Sequence, residues 1–124
     1  GEMILVDTSV WVAHFRLPQL ELVDRLQDGE ILMHPFVVGE LACGNMRQRE
    51  TILRHIEALP AAVKANDAEV RGLIEKHRLW GRGIGWVDAH LLASTLLSQC
   101  QFWTLDRLLT ETASHLGVSG PRRA

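Results

Sequence analysis

The sequence predicts an α/β domain: a three-layer α/β/α sandwich built on a central parallel sheet of about four or five strands. Three observations predict it. Short apolar runs at Met3 to Val6, Glu30 to His34 and Phe102 to Asp106 have the length of buried strands, and the first two give way at once to a helical spacing of apolar residues. Strands separated by helices require right-handed crossovers, hence parallel pairing with helices on both faces. Finally, 124 residues with 47% hydrophobic content and no shift in composition suit one domain, taken as residues 3–124. Gly1 and Glu2, ahead of Met3, are read as an appended remnant and carry no part of the argument.

Met3 to Val6 forms the first strand, and a short helix follows around Ser9 to Arg16. After Pro18, "QLELVDRLQDG" gives a second helix closed by Gly29. "EILMH" returns to strand, and Pro35 starts a helix in "PFVVGELACG" that stops at Gly44. In "QRETILRHIEAL" the apolar positions Ile52, Leu53, Ile56 and Leu59 share one helical face, and Pro60 ends it. "DAEVRGLIEKHRLW" repeats the pattern with Val70, Leu73, Ile74 and Leu79. Beyond the turn "GRGIG", the helix "WVDAHLLASTLLSQC" is apolar nearly all round and is expected to be central and buried. "FWTLD" is the last main strand, followed by a helix from about Arg107 to Leu116, and "GVSGPRRA" offers a small edge strand before a basic tail.

The net charge of −2, from 13 basic and 15 acidic residues, gives no overall pull towards nucleic acid. Setting four clustered acids aside leaves 11 acidic against 13 basic residues, so the rest of the surface is mildly positive. Cys43 and Cys100 lie in apolar helical patterns without metal-ligand spacing and read as buried free thiols. With no apolar run near the roughly 20 residues of a membrane span and no signal-peptide pattern, the chain is expected to be soluble and cytoplasmic.

In parallel sheets the reactive crevice lies beyond the carboxyl ends of the strands, where Asp7 and Asp106 both stand. Asp7 has an equally local reading as a helix N-cap. Glu40, flanked by Val37, Val38 and Leu41, is costly to bury alone and needs a partner. Asp88, three residues after Gly85, can be a capping acid or a fourth member of the same edge. Four carboxylates in one place repel, so the cluster implies cations. All-oxygen ligands suit Mg²⁺ or Mn²⁺, ions that activate water and stabilise the leaving oxygen of a phosphodiester.

These motifs resemble those of the PIN-domain ribonucleases, and among them the VapC-type toxins of toxin–antitoxin systems. "LVDTSVWV" carries Asp7, "PFVVGELACG" carries Glu40, "GIGWVDAHLLAS" carries Asp88 and "FWTLDRLL" carries Thr104 and Asp106. The resemblance covers nearly the whole chain. It implies a PIN-like fold and a metal-dependent endoribonuclease whose Mg²⁺ or Mn²⁺ is held by Asp7, Glu40, Asp88 and Asp106. It further implies an RNA substrate, a VapB-type antitoxin whose C-terminal segment wraps the toxin, and a toxin homodimer. Ser9 and Thr104 match hydroxyl positions that orient ligands or water, though a helix cap and a strand-end hydroxyl are equally good local readings. Leu108 and Leu109 stand where many relatives have a further acid, a departure that bears on how a second metal is held.

Other readings fit less well. A response-regulator receiver needs an acidic pair after its first strand and a late Lys; "LVDTSV" has no such pair, and no Lys follows Lys76. A haloacid-dehalogenase-type phosphatase wants Asp where Ser9 stands. A catalytically silent PIN-like module that binds RNA or protein is the rival from another class, with its acids structural. "GRGIG" lacks the strand before it and the Lys-Ser/Thr ending of a P-loop. Arg82 reads as a solvated loop charge or a phosphate contact, and His90 as a satisfied buried imidazole. Most of the four Trp and three Phe residues are expected in the core.

Overall fold

The computed structural model describes residues 2–121. In chain order the elements are β1 (Ile4–Val6), α1 (Thr8–Arg16), α2 (Leu20–Gln27), β2 (Ile31–Leu32), α3 (Pro35–Cys43), α4 (Arg49–Glu57), α5 (Asp67–His77), α6 (Trp86–Leu97), β3 (Gln101–Trp103) and α7 (Arg107–His115). The strands pair in the order β2-β1-β3, all parallel. Ile4 lies opposite Ile31 and Gln101, Leu5 opposite Leu32 and Phe102, and Val6 opposite Trp103. The first strand of the chain is thus the middle of the sheet, which is why its Ile, Leu and Val are all fully buried.

The expected four or five strands resolve into three among the described residues, extended at each side by a single-residue parallel bridge: Met33 with Ala61, and Phe102 with Ser119. Prolines stop both extensions. Pro60 has no N–H to lengthen the ladder beside Ala61, and Pro121 follows the second bridge. Ser119 is the small edge contribution expected of the C-terminus; the basic tail at 122–124 lies outside the described residues. The second strand is shorter than "EILMH" because His34 leaves the sheet to cap α3, its Nδ1 accepting the Phe36 N–H at 3.0 Å.

α6 is the central helix, with every residue from Ala89 to Thr95 buried. Trp11 and Phe102 join the core, whereas Trp80 and Trp86 are exposed, so the aromatic residues divide between interior and surface. Cys100 is a buried free thiol whose pKa is pushed up to about 11 by burial. Cys43, expected to be buried, is exposed: it is the last residue of α3, past the helix's buried contacts at Val37 and Leu41. Among the described residues no helix is long and apolar enough to cross a membrane.

Candidate active site

Adjacent strands β1 and β3 end at the same edge, and the Asp7 N–H donates to the Trp103 carbonyl at 2.9 Å. Asp7 occupies the N-cap position of α1, yet its side chain caps nothing. Its Oδ2 instead accepts the hydroxyls of Ser9 and Thr104, each at 2.7 Å. Those hydroxyl oxygens accept in turn from the loop beyond β3: the Leu105 N–H reaches Ser9 Oγ at 3.0 Å, and the Asp106 N–H reaches Thr104 Oγ1 at 3.1 Å. Two strand tips are thereby stitched into one small network. The carboxylate is 7% exposed, and no hydrogen bond among the described residues uses its Oδ1. Both sequence alternatives for Ser9 and Thr104 are decided here, since each hydroxyl donates to the acid.

Asp106 takes the capping role that Asp7 lacks: its Oδ1 accepts the Leu109 N–H at 2.9 Å at the start of α7. Asp88, in the first turn of α6, accepts the Gly85 N–H on Oδ2 at 3.0 Å. Its pKa is raised above the usual value, first by burial and then by the negative charges of Asp7 and Asp106, against an opposing pull from the Gly85 N–H. These three acids therefore feel one another. Glu40 is exposed, rather than enclosed among its apolar neighbours, and its partner is the Thr8 hydroxyl, 2.6 Å from Oε1. Since Thr8 follows Asp7 directly, Glu40 stands at the flank of the group.

The donor set suits a hard divalent cation: every candidate ligand is a carboxylate oxygen, the acids repel, and among the described residues none of the four pairs with Lys or Arg. They are not drawn into a finished coordination shell, for no three His, Cys, Asp or Glu side chains among the described residues are grouped closely enough to hold an ion. Removing one charge should then help the metal-free fold. Because the folded state raises the pKa of Asp88, this group's stabilising contribution is present below its ordinary 3.8 and is lost as pH rises through the raised value. In EDTA at neutral pH, Asp88→Asn should melt above wild type by roughly 2–6 °C, corresponding to about 1 kcal/mol. The gap should close on acidification below the ordinary carboxylate value. A mutant that melts lower at neutral pH would make Asp88 a structural cap.

Two residues of the edge escaped sequence reasoning. Thr8, read only as part of a capping run, holds Glu40; His34, an unusual N-cap, fixes the start of the helix that carries Glu40. His34 is neutral, its pKa lowered to about 4 by burial and by the neighbouring His90 and Lys64. "GRGIG" is a turn, as expected, with Gly81 and Gly83 at positive φ. A Cβ at Gly83 would sit 2.9 Å from Leu108 Cδ1, so the turn that leads to Asp88 packs on α7. Leu108 and Leu109, where a further acid is common, pack instead: the first against this turn, the second into the core. Arg82 is exposed. His90 is buried as expected but not satisfied, because neither ring nitrogen makes a hydrogen bond.

Comparison with known proteins agrees with this architecture. The family model described as "PIN domain" matches residues 4–114. The ribonuclease VapC32 of Mycobacterium tuberculosis, from strain CDC 1551 / Oshkosh and from strain ATCC 25618 / H37Rv, is 42% identical over 118 residues, covering 94% of this chain and 95% of the relative. Both matches take in the two stitched strand tips and the helix starts that hold all four acids, and on that breadth the chain belongs to the PIN-domain family.

Proposed function

We propose that this chain is a divalent-metal-dependent endoribonuclease, the toxin of a toxin–antitoxin module, and that Asp7, Glu40, Asp88 and Asp106 hold its Mg²⁺ or Mn²⁺. The observation that carries the reading is the Asp7 carboxylate, fixed through Oδ2 by two hydroxyls and open at Oδ1, with the charges of Asp7 and Asp106 both acting on Asp88. When bound, such an ion activates water and stabilises the charge that develops on the phosphodiester. Ser9 and Thr104 keep the Asp7 carboxylate from rotating, so that its free oxygen is aimed before substrate arrives. Asp106, tied to the α7 amide, and Asp88, tied to the Gly85 amide, each retain an oxygen for a ligand. Glu40 closes the flank through Thr8. The products are 5′-phosphate and 3′-hydroxyl ends, as hydrolysis by water gives in the resembling ribonucleases.

The similarity to a protein named ribonuclease VapC32 supports RNA as substrate. It also supports a VapB-type antitoxin, a homodimer and a cytoplasmic setting for a single domain over residues 3–124. A cavity of about 480 Å³ between α1, α3 and α4 suits the antitoxin: it is lined by Val12, Phe15, Leu41, Met46 and Ile52 and reaches Thr8 and Glu40. An apolar segment lying there could direct an Arg or Lys among the acids in place of a metal. Exposed Trp80, Leu105 and Leu108 offer apolar surface for a second copy.

The test is cleavage of single-stranded RNA by the purified protein with Mn²⁺ and with EDTA. Cutting that stops in EDTA and returns with added Mn²⁺ supports the reading. Equal cutting in EDTA would end the metal mechanism, and RNA binding without cutting under either condition would favour a silent binding module.

A further inference from the structure

On the side of α6 away from Asp88, a cavity of about 430 Å³ is lined by Phe36, Lys64, Ala65, Asn66, Asp67 and His90. His90 is 2% exposed, and neither of its ring nitrogens makes a hydrogen bond; Nε2 lies 3.2 Å from Asp67 Oδ1 without hydrogen-bond geometry. Its ring meets Phe36 and Trp86 edge-on, both at 4.8 Å between centroids. Lys64 Nζ stands 5.2 Å over the Phe36 ring. The walls are preset from behind. Ser94 Oγ accepts the Ala65 N–H at 3.2 Å and lies 3.1 Å from His34 Nε2, while His34 Nδ1 holds the Phe36 N–H.

We infer that this cavity is a subsite for one unpaired base of the RNA, beside the cleaved bond, and that it favours a base with an exocyclic amino group over uracil. The inference rests on the ribonuclease reading and adds to it a determinant of which RNA is taken. Single-stranded RNA is recognised by stacking bases on aromatic rings and by hydrogen bonds to their edges, with cations on the backbone. The cavity supplies each part: the rings of Phe36, His90 and exposed Trp86, the Lys64 ammonium, and the Asp67 carboxylate with Asn66 at the rim. A carboxylate accepts from an amino group and finds fewer donors on uracil. A hydrogen bond from the base edge would satisfy the buried imidazole, which the protein leaves without one. Placement agrees as well. Trp86 and His90 flank Asp88 on α6, and Phe36 stands one turn before Glu40 on α3, so subsite and acids share two helix starts.

The test uses the wild-type protein in EDTA, where binding is read without cleavage, so that its outcome is separate from that of the ribonuclease assay. Fluorescence anisotropy of a short single-stranded RNA is measured with one abasic residue moved along it, and again with uracil at each position. One position should stand out, its abasic form binding about tenfold more weakly. Lys64→Ala should weaken every sequence, and Asp67→Asn should remove the discrimination against uracil at that position, with melting temperatures unchanged for these exposed residues. A flat abasic profile, or both variants binding like wild type, would overturn the subsite; the second result would leave the cavity to a protein partner. Failure to bind RNA at all would overturn it too, whereas loss of Mn²⁺-dependent cleavage with the profile intact would strike only the catalytic reading.

Discussion

Asp7→Asn should lower Mn²⁺-dependent RNA cleavage by about a thousandfold while leaving a folded protein. The asparagine oxygen can still accept the Ser9 and Thr104 hydroxyls that now reach Oδ2, so the stitch between β1 and β3 survives. What is lost is the free Oδ1 and the negative charge: an amide NH₂ turns a ligand position into a donor that faces a cation. Since the Asp7 side chain makes no helix-capping bond, the exchange costs α1 nothing at its N-terminus. Circular dichroism and a melting curve check the fold, and cleavage rate checks the site. Activity within tenfold of wild type in a folded mutant would show that Asp7 is a structural acid.

Thr104→Val should cost roughly 10- to 100-fold in cleavage and about 1–3 kcal/mol in stability, because one hydroxyl serves two partners. It donates to Asp7 Oδ2 at 2.7 Å and accepts the Asp106 N–H at 3.1 Å; valine keeps the shape and removes both bonds in a buried position. Asp7 would then keep only Ser9, and its free oxygen would no longer be aimed. Weaker stabilisation of the melting temperature by Mn²⁺ is the readout that a merely structural threonine would not move. Thr104→Ser, which restores the hydroxyl, should recover most of both losses. If serine fails to rescue while the protein remains folded, the methyl group rather than the hydroxyl carries the effect.

Alternation of short apolar runs with helical spacing was enough to read the parallel sheet, because β1 and its neighbours are buried on both faces and carry no competing pattern. Strand ends were less legible. His34 has strand neighbours but spends its side chain on a helix amide, and nothing in "ILMHP" announces that choice. The two capping acids were exchanged: Asp7 precedes Thr and Ser in the manner of an N-cap yet bonds hydroxyls, while Asp106 at a strand end does the capping. Local sequence could not decide this, since the partner of Asp7 is Thr104, brought alongside only by the pairing of β1 with β3. Glu40 needed a partner, as its apolar neighbours suggested, but the helix turns it outwards, and the partner is a threonine. His90 was legible as buried; that it would be left without a hydrogen bond was not.

The central position of β1 has a consequence for when this protein becomes dangerous. During synthesis β1 and β2 emerge early and can pair, but β3, the other neighbour of β1, follows β2 by roughly seventy residues. At about 5–20 residues per second, several seconds of translation separate the two pairings. Until β3 arrives, Asp7 has Ser9 but lacks Thr104, and both Asp88 and Asp106 are missing or unplaced for most of that interval. The nascent chain therefore carries an incomplete site throughout most of its elongation, and nuclease competence arrives as a late folding event. A ribosome making this chain is in that way spared by topology from a growing enzyme that could attack its own message.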